Sequence, residues 1–231
     1  MTFTSRHEAG LELAKALRNY RGTDTVVVAL PRGGVVVGAV VAKFLRAPLG
    51  VQLVSRIGHP AYPEYAIGAV TPDCEPVFRQ EEIQNINKEW LEEAITSART
   101  VMKMRRELYA DESFHMPSLS GRTAILIDDG MATGLTMEAA LQAVKQHYPA
   151  RIVVAVPVAS NESVSVMKGY ADEVIVLDDP AAFRLAVGSH YQSFPEVTDE
   201  QVRLILRSTH EFVTEAELSL NEEFQPVQGA L

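Results

Sequence analysis

Apolar residues in this chain gather in short unbroken runs instead of alternating with polar ones. TVVVAL at 25–30, GVQLV at 50–54, ILI at 125–127, RIVVAVPV at 151–158 and EVIVL at 173–177 each predict a strand covered on both faces. Between them the pattern changes to helical spacing at 35–45, 135–147 and 163–170. Ser5 and Glu8 form a capping box that opens a helix to about Tyr20, with Ala9, Leu13, Ala14 and Leu17 on one face. Strand and helix alternate, which specifies an α/β fold: a parallel sheet flanked by helices. The run at 151–158 should stop pairing at Pro157.

Three stretches depart from that rhythm. Residues 66–70 predict a short strand that pairs with 76–78 as a hairpin. From Glu81 to about Ala110 runs one long helical pattern, its apolar stripe read as Ile83, Ile86, Trp90, Ala94, Ala98, Val101 and Leu108. Acids crowd its start and bases its end, as the helix dipole favours. Thr198 caps a short final helix, and 214–231 reads as an acidic tail without clear periodicity, whose composition permits disorder. The organisation expected is a single domain over 1–213. It has a core at about 25–180, a helical insertion at about 80–118, and a small hood made from the N-terminus and about 181–200.

Chemistry concentrates where two strands end. The strand at 125–127 runs straight into Asp128 and Asp129, then Gly130-Met131-Ala132-Thr133-Gly134-Leu135-Thr136, then a helix. Backbone N–H groups of such a loop and of the helix N-terminus make an anion cradle. Thr133 and Thr136 add hydroxyl donors, and Gly134 lets the backbone approach a ligand. The adjacent acids cannot serve the same anion; they suit sugar hydroxyls or a magnesium ion. A phosphorylated sugar with free hydroxyls satisfies both halves. The strand at 25–30 likewise ends in Pro31-Arg32-Gly33-Gly34, a glycine turn carrying a cation. Two such turns leaving one edge of a parallel sheet face a common crevice.

The net charge of 21 − 30 = −9 argues against nucleic-acid or anionic-membrane binding, so positive charge for a polyphosphate must be local. Cys74, the single cysteine, permits no intrachain disulfide and reads as a loop thiol. No secretory signal opens the sequence, and its longest apolar stretch, 26–45, is broken by Pro31-Arg32-Gly33-Gly34. A soluble, cytoplasmic protein is expected. His7, in the first helical turn, is expected in solvent.

The segment 125–136, an apolar strand, two acids, a short loop and Thr-Gly-x-Thr, resembles the 5-phosphoribosyl-1-pyrophosphate (PRPP) signature of the type I phosphoribosyltransferases. The resemblance spans roughly 25–194 and is strongest in the order and spacing of the two loops. ALPRGG at 29–34, PEYAIGAV at 63–70 and ADE at 171–173 look like a group of predicted bacterial members of unsettled substrate. It implies a PRPP-dependent pentosyltransferase of nucleotide metabolism that uses Mg²⁺, transfers the phosphoribosyl group to a nitrogenous acceptor such as a nucleobase, and forms homodimers.

By the same resemblance Asp128 and Asp129 hold the ribose hydroxyls, and the metal directly or through water. Met131, Ala132, Thr133, Gly134, Leu135 and Thr136 take the 5-phosphate. Arg32, Gly33 and Gly34 meet the pyrophosphate across a cis Pro31–Arg32 peptide, and Arg56 assists from the root of a closing loop in which Glu64 also lies. Phe183, Tyr191 and Phe194 are candidates to stack on a base or to pack the core.

Two departures bear on the acceptor. Ala132 stands where 6-oxopurine enzymes carry an acid, and Ala159-Ser160-Asn161 where they carry a lysine. The Met-Ala-Thr-Gly variant is nearer to adenine phosphoribosyltransferase, so hypoxanthine and guanine are disfavoured. Only Arg56 is basic where purine-type members often have two cations, Ser55 replacing the other. Two competing readings keep the site: a PRPP- or nucleotide-sensing regulator without turnover, and an enzyme acting on phosphoribosyl compounds by phosphate or water attack.

Overall fold

The strands expected to be buried on both faces form one parallel sheet. In the computed structural model, which describes residues 2–109, 116–184 and 186–223, β1 (Thr25–Ala29) lies between β2 (Leu49–Val51) and β6 (Thr123–Ile127). Beyond β6 come β7 (Arg151–Val156) and β8 (Glu173–Val176), giving the order β2-β1-β6-β7-β8 with every pair parallel. β7 ends before Pro157, as expected.

Successive residues feed two separate cores, which is why no alternation shows in the sequence. Val27, Ala29, Ile125, Ile127, Val153 and Ala155 face helices α1 (Arg6–Ala16), α2 (Gly33–Leu45) and α7 (Asp199–Glu223) through Leu13, Leu17, Val37, Val41, Leu45 and Leu206. Val26, Val28, Ala124, Leu126, Val154 and Val156 face α5 (Leu135–Lys145) and α6 (Asn161–Met167) through Met137, Leu141, Val144 and Met167. Burying a Val, Leu or Ile side chain gives roughly 1.5–3 kcal/mol, so this double use of each strand is the main source of order in the core.

Half of the capping box at the start of α1 forms: Ser5 accepts from Glu8 N at 3.3 Å, while the Glu8 carboxylate reaches one residue further back and accepts from Thr4 N in place of Ser5 N. The expected hairpin is part of a larger three-stranded antiparallel sheet of β3 (Ser55–His59), β4 (Tyr62–Val70) and β5 (Val77–Phe78). The two segments pair as read, in the register Gly68 with Phe78 and Ala69 with Val77, but the strand starts at Tyr62. The segment expected as a closing loop is thus the β3–β4 hairpin. Leu135 and Ala139 of α5 pack against Ala66, Ala69 and Val77 beneath it.

Other expectations need correction. The long helix is broken into α3 (Gln80–Ile83) and α4 (Lys88–Tyr109), where Asn87 Oδ1 accepts from Trp90 N at 3.1 Å and starts a new helix. Its stripe slips after Ala98: Met102 and Tyr109 are buried, while Val101 and Leu108 are 37% and 44% exposed. Cys74 lies in a loop as read, and it is buried there. Thr71 Oγ1 accepts from Cys74 N and Arg99 donates to its carbonyl at 2.8 Å, holding the turn beneath α4. The final helix is long, 25 residues, and takes in 214–223 of the segment read as a tail; 224–231 lie outside the described residues.

The N-terminus pairs with the segment around 190–192, here called the hood. Phe3 N donates to the His190 carbonyl and Gln192 N to the Phe3 carbonyl, both at 2.8 Å. Phe3, Ala9, Val158 and Tyr191 close its small core.

Candidate active site

The strand order reverses between β1 and β6: the chain leaves β1 toward β2 on one side, and β6, β7 and β8 build outward on the other. Ligands of open parallel sheets bind at the carboxyl ends of strands at such a switch point. Leu30 N donates to the Ile127 carbonyl at 2.9 Å, so the two strands are still paired where their loops begin.

Those loops touch. A Cβ on Gly33 would overlap Asp129 Oδ2, and one on Gly34 would lie 2.9 Å from Asp128 Cα. At Gly34 the clash is with backbone, and at Gly33 a side chain would displace the Asp129 carboxylate, so the two glycines set their loop directly against Asp128 and Asp129. The Pro31–Arg32 peptide is cis. Arg32 Nη2 donates to Glu196 Oε1 of the hood.

Asp128 Oδ1 accepts from Asp129 N at 2.8 Å. Burial, and next the charge of Asp129, push the Asp128 carboxyl well above the usual carboxylate range; Arg56 and Arg6 oppose the shift. Arg56, on β3, is exposed and bears on Asp128 through its charge. Burial raises Asp129 as well, with Arg6 the main opposing influence. Arg6 Nε donates to Asp129 Oδ2 at 2.7 Å, Nη1 to the Pro195 carbonyl at 2.7 Å, and the guanidinium lies 3.6 Å from the Phe194 ring centre. Only 8% exposed, Arg6 joins hood to core at the acids.

The second loop is fixed from behind. Met131 N donates to the Val158 carbonyl at 2.9 Å, and Ser160 N to the Met131 carbonyl at 3.0 Å. Ser160 Oγ donates to the Ala132 carbonyl at 2.6 Å, and Ser163 Oγ to that of Met131 at 3.1 Å. Gly134, at φ 79°, then turns the chain into α5. Met131 is 4% exposed with its N–H and carbonyl already engaged, so the expected phosphate role does not fall to it; Leu135, 5% exposed, can offer a ligand only its backbone. Ala132, Thr133 and Thr136 are half-buried beside them. First-turn N–H groups of α5 have no helical partner, and anions settle there.

Ser160 and Asn161, read as the place of a missing lysine, prove to be loop support and the first residue of α6. The three candidate stacking rings are used inside the hood. Tyr191 is buried against Phe3 and Phe194, and its hydroxyl donates to the Asp129 carbonyl at 2.6 Å. Arg6 covers Phe194, and Phe183 stacks on His190 with centres 5.1 Å apart. Glu64 and His7 are exposed. Arg6 and Glu196 were not foreseen. The available signal was Arg6's place in a helical first turn, where a cation opposes the dipole and implies another partner.

Among the described residues no three His, Cys, Asp or Glu side chains stand together as a metal site. Asp128 and Asp129 alone fit a magnesium ion that brings most of its oxygen ligands from a substrate and water.

Comparison with known proteins identifies the family. The phosphoribosyl transferase domain profile matches residues 9–191. Two proteins from strains of Mycobacterium tuberculosis, named as putative phosphoribosyl transferases, are 37% identical over 216 residues, 93% of this chain. The chain spans about half the length of these curated relatives, 48% of each. The crystal structure of TT1426 from Thermus thermophilus superposes with a TM-score of 0.73 at 44% identity, covering 90% of this chain and 99% of that one. With the two loops in contact at the switch point and the profile running from α1 through the hood to Tyr191, the chain belongs to the phosphoribosyl transferase domain family.

Proposed function

We propose that this chain transfers the 5-phosphoribosyl group of PRPP to a nitrogenous acceptor and releases pyrophosphate. The observation that carries the reading is the contact of Gly33 and Gly34 with Asp129 and Asp128. It sets a cation-bearing glycine loop beside a buried acid pair, as one ligand with a pyrophosphate and a diol requires.

In this reading Asp128 and Asp129 accept from the ribose hydroxyls, which relieves the crowding of two buried acids. The loop 132–136 cradles the 5-phosphate through N–H groups and the Thr133 and Thr136 hydroxyls. Arg32, the Gly33 and Gly34 amides and Arg56 face the pyrophosphate. Magnesium, when bound with substrate beside Asp128 and Asp129, supplies charge neutralisation for the leaving group. The bond from C1 to the pyrophosphate oxygen breaks as the acceptor nitrogen bonds to C1, and the nitrogen's proton passes to solvent. Positive charge grows on the sugar and negative charge on the leaving oxygen. The acids stand beneath the sugar and Arg32 turns to the leaving oxygen to meet them.

Ala132 and the engaged Ser160 supply neither the acid nor the lysine at those two positions, which disfavours hypoxanthine and guanine as acceptors. Incubation with PRPP, Mg²⁺ and panels of purines, pyrimidines and small amines tests the proposal, pyrophosphate being the readout. Acceptor-dependent release is expected. Tight PRPP binding with no release from any acceptor would leave a sensor and remove the transferase.

A further inference from the structure

The hood segment 194–199 lies against the pyrophosphate loop and is fastened on both sides. On one side Arg6 donates to the Pro195 carbonyl at 2.7 Å and covers Phe194. On the other, Asp199 accepts from the Tyr109 hydroxyl and pairs with Arg105 Nε at 3.2 Å. Between these anchors Glu196 takes the Arg32 guanidinium. The Arg32 side chain is 30% exposed and that of Glu196 76%, so water and a ligand can reach the pair.

We infer that Glu196 is an internal competitor for the pyrophosphate site, a carboxylate that occupies the Arg32 guanidinium until the phosphates of a ligand displace it. The inference rests on the proposed pyrophosphate-binding role of Arg32. Carboxylate and phosphate oxygens make the same charge-assisted bonds to a guanidinium fork. One fork must therefore be shared between them. Pyrophosphate carries the larger charge and also gains the Gly33 and Gly34 amides, so it wins when present. Glu196 cannot drift away, because Pro195 and Asp199 are pinned on either side of it. A tethered competitor acts at high effective concentration. Its consequence is weaker binding of pyrophosphate and faster departure of that product. The opposite role, a carboxylate that holds Arg32 in its binding pose, predicts changes of opposite sign.

Titration of magnesium pyrophosphate into the wild type, Glu196→Gln, Arg32→Ala and the double variant distinguishes these roles. Exposed ion pairs shift equilibria by no more than about fivefold. Glu196→Gln should bind about three- to fivefold tighter at low salt, release pyrophosphate correspondingly slower, and lose that advantage as salt rises. Arg32→Ala should bind more weakly, and adding Glu196→Gln to it should change nothing. If Glu196→Gln binds no tighter, or more weakly, while Arg32→Ala still loses affinity, the competitor is overturned and the pyrophosphate site stands. If the double variant binds tighter than Arg32→Ala, Glu196 acts through its general field and not on Arg32, which also overturns the inference. Unchanged affinity in Arg32→Ala removes both this inference and the reading on which it rests.

Discussion

Asp128 and Asp129 are held where a carboxylate is costly. Burial and mutual repulsion raise Asp128, and Arg6 relieves chiefly Asp129. A carboxyl with a higher pKa in the folded chain than in the unfolded one stabilises the fold only while it keeps its proton. That contribution is whole below the ordinary value of 3.8 and is lost as pH rises through the raised one. Asp128→Asn, which cannot ionise, should therefore raise the melting temperature of the ligand-free protein at neutral pH, with the gain narrowing toward pH 4. The same change should weaken Mg·PRPP binding by about 1.5–3 kcal/mol, the range for hydrogen bonds to a charged group, or roughly ten- to a hundredfold. Calorimetry and melting curves across pH check both. A variant that melts lower at neutral pH, or binds as the wild type does, contradicts the role given to Asp128. This exchange of stability for binding is the signature expected of a functional residue. Arg6, its counterweight at Asp129, acts across 123 residues of sequence, so no local pattern could name that partner.

Among the elements, those read most securely have surroundings that leave one solution. The strands β1, β6 and β7 are covered on both faces, so nearly every residue is apolar and the pattern is unmistakable. Their loops were legible too, because close approach of backbone demands glycine and two facing charges demand opposite partners. The register of α4 was not. It is half-exposed, and its inner face from Ala98 onward is chosen by contact with the core and α7, not by apolar character; Arg105 turns inward to Asp199 while Leu108 faces water. Nor was the reach of α7, whose Val202 and Leu206 are buried in a core that sequence distance conceals. The slip of register can be measured. Met102→Ala removes a fully buried side chain and should cost about 2–5 kcal/mol. Val101→Ala, 37% exposed, should change stability by no more than about 0.5 kcal/mol. Urea unfolding with the costs reversed would restore the stripe that places Val101 inward.

At the scale of the whole molecule, one reversal of strand order sets opposite charges face to face. β1 delivers Arg32 and β6 delivers the acids, and pairing between the strands persists to Leu30 and Ile127. The hood then reaches both halves, through Arg6 to Asp129 and through Glu196 to Arg32. In the proposed reading the arrangement would bind PRPP with or without turnover, so affinity alone does not separate an enzyme from a sensor. What separates them is the moment at which Arg32 matters. In a transferase its charge is most useful as negative charge builds on the departing pyrophosphate, and interactions made only there raise turnover without tightening ground-state binding. In the resting state Glu196 already shares the guanidinium, which reduces what Arg32 adds to substrate affinity. Arg32→Ala should accordingly lower the rate of pyrophosphate release by about a hundred- to a thousandfold, the cost of removing one preorganised donor from a developing oxyanion. Its PRPP affinity should fall by about tenfold or less, as for one partly exposed ionic contact. Single-turnover rates beside equilibrium titrations give both numbers. Equal losses in rate and affinity would show that Arg32 only holds substrate, and would move the burden of catalysis to the acids and the metal.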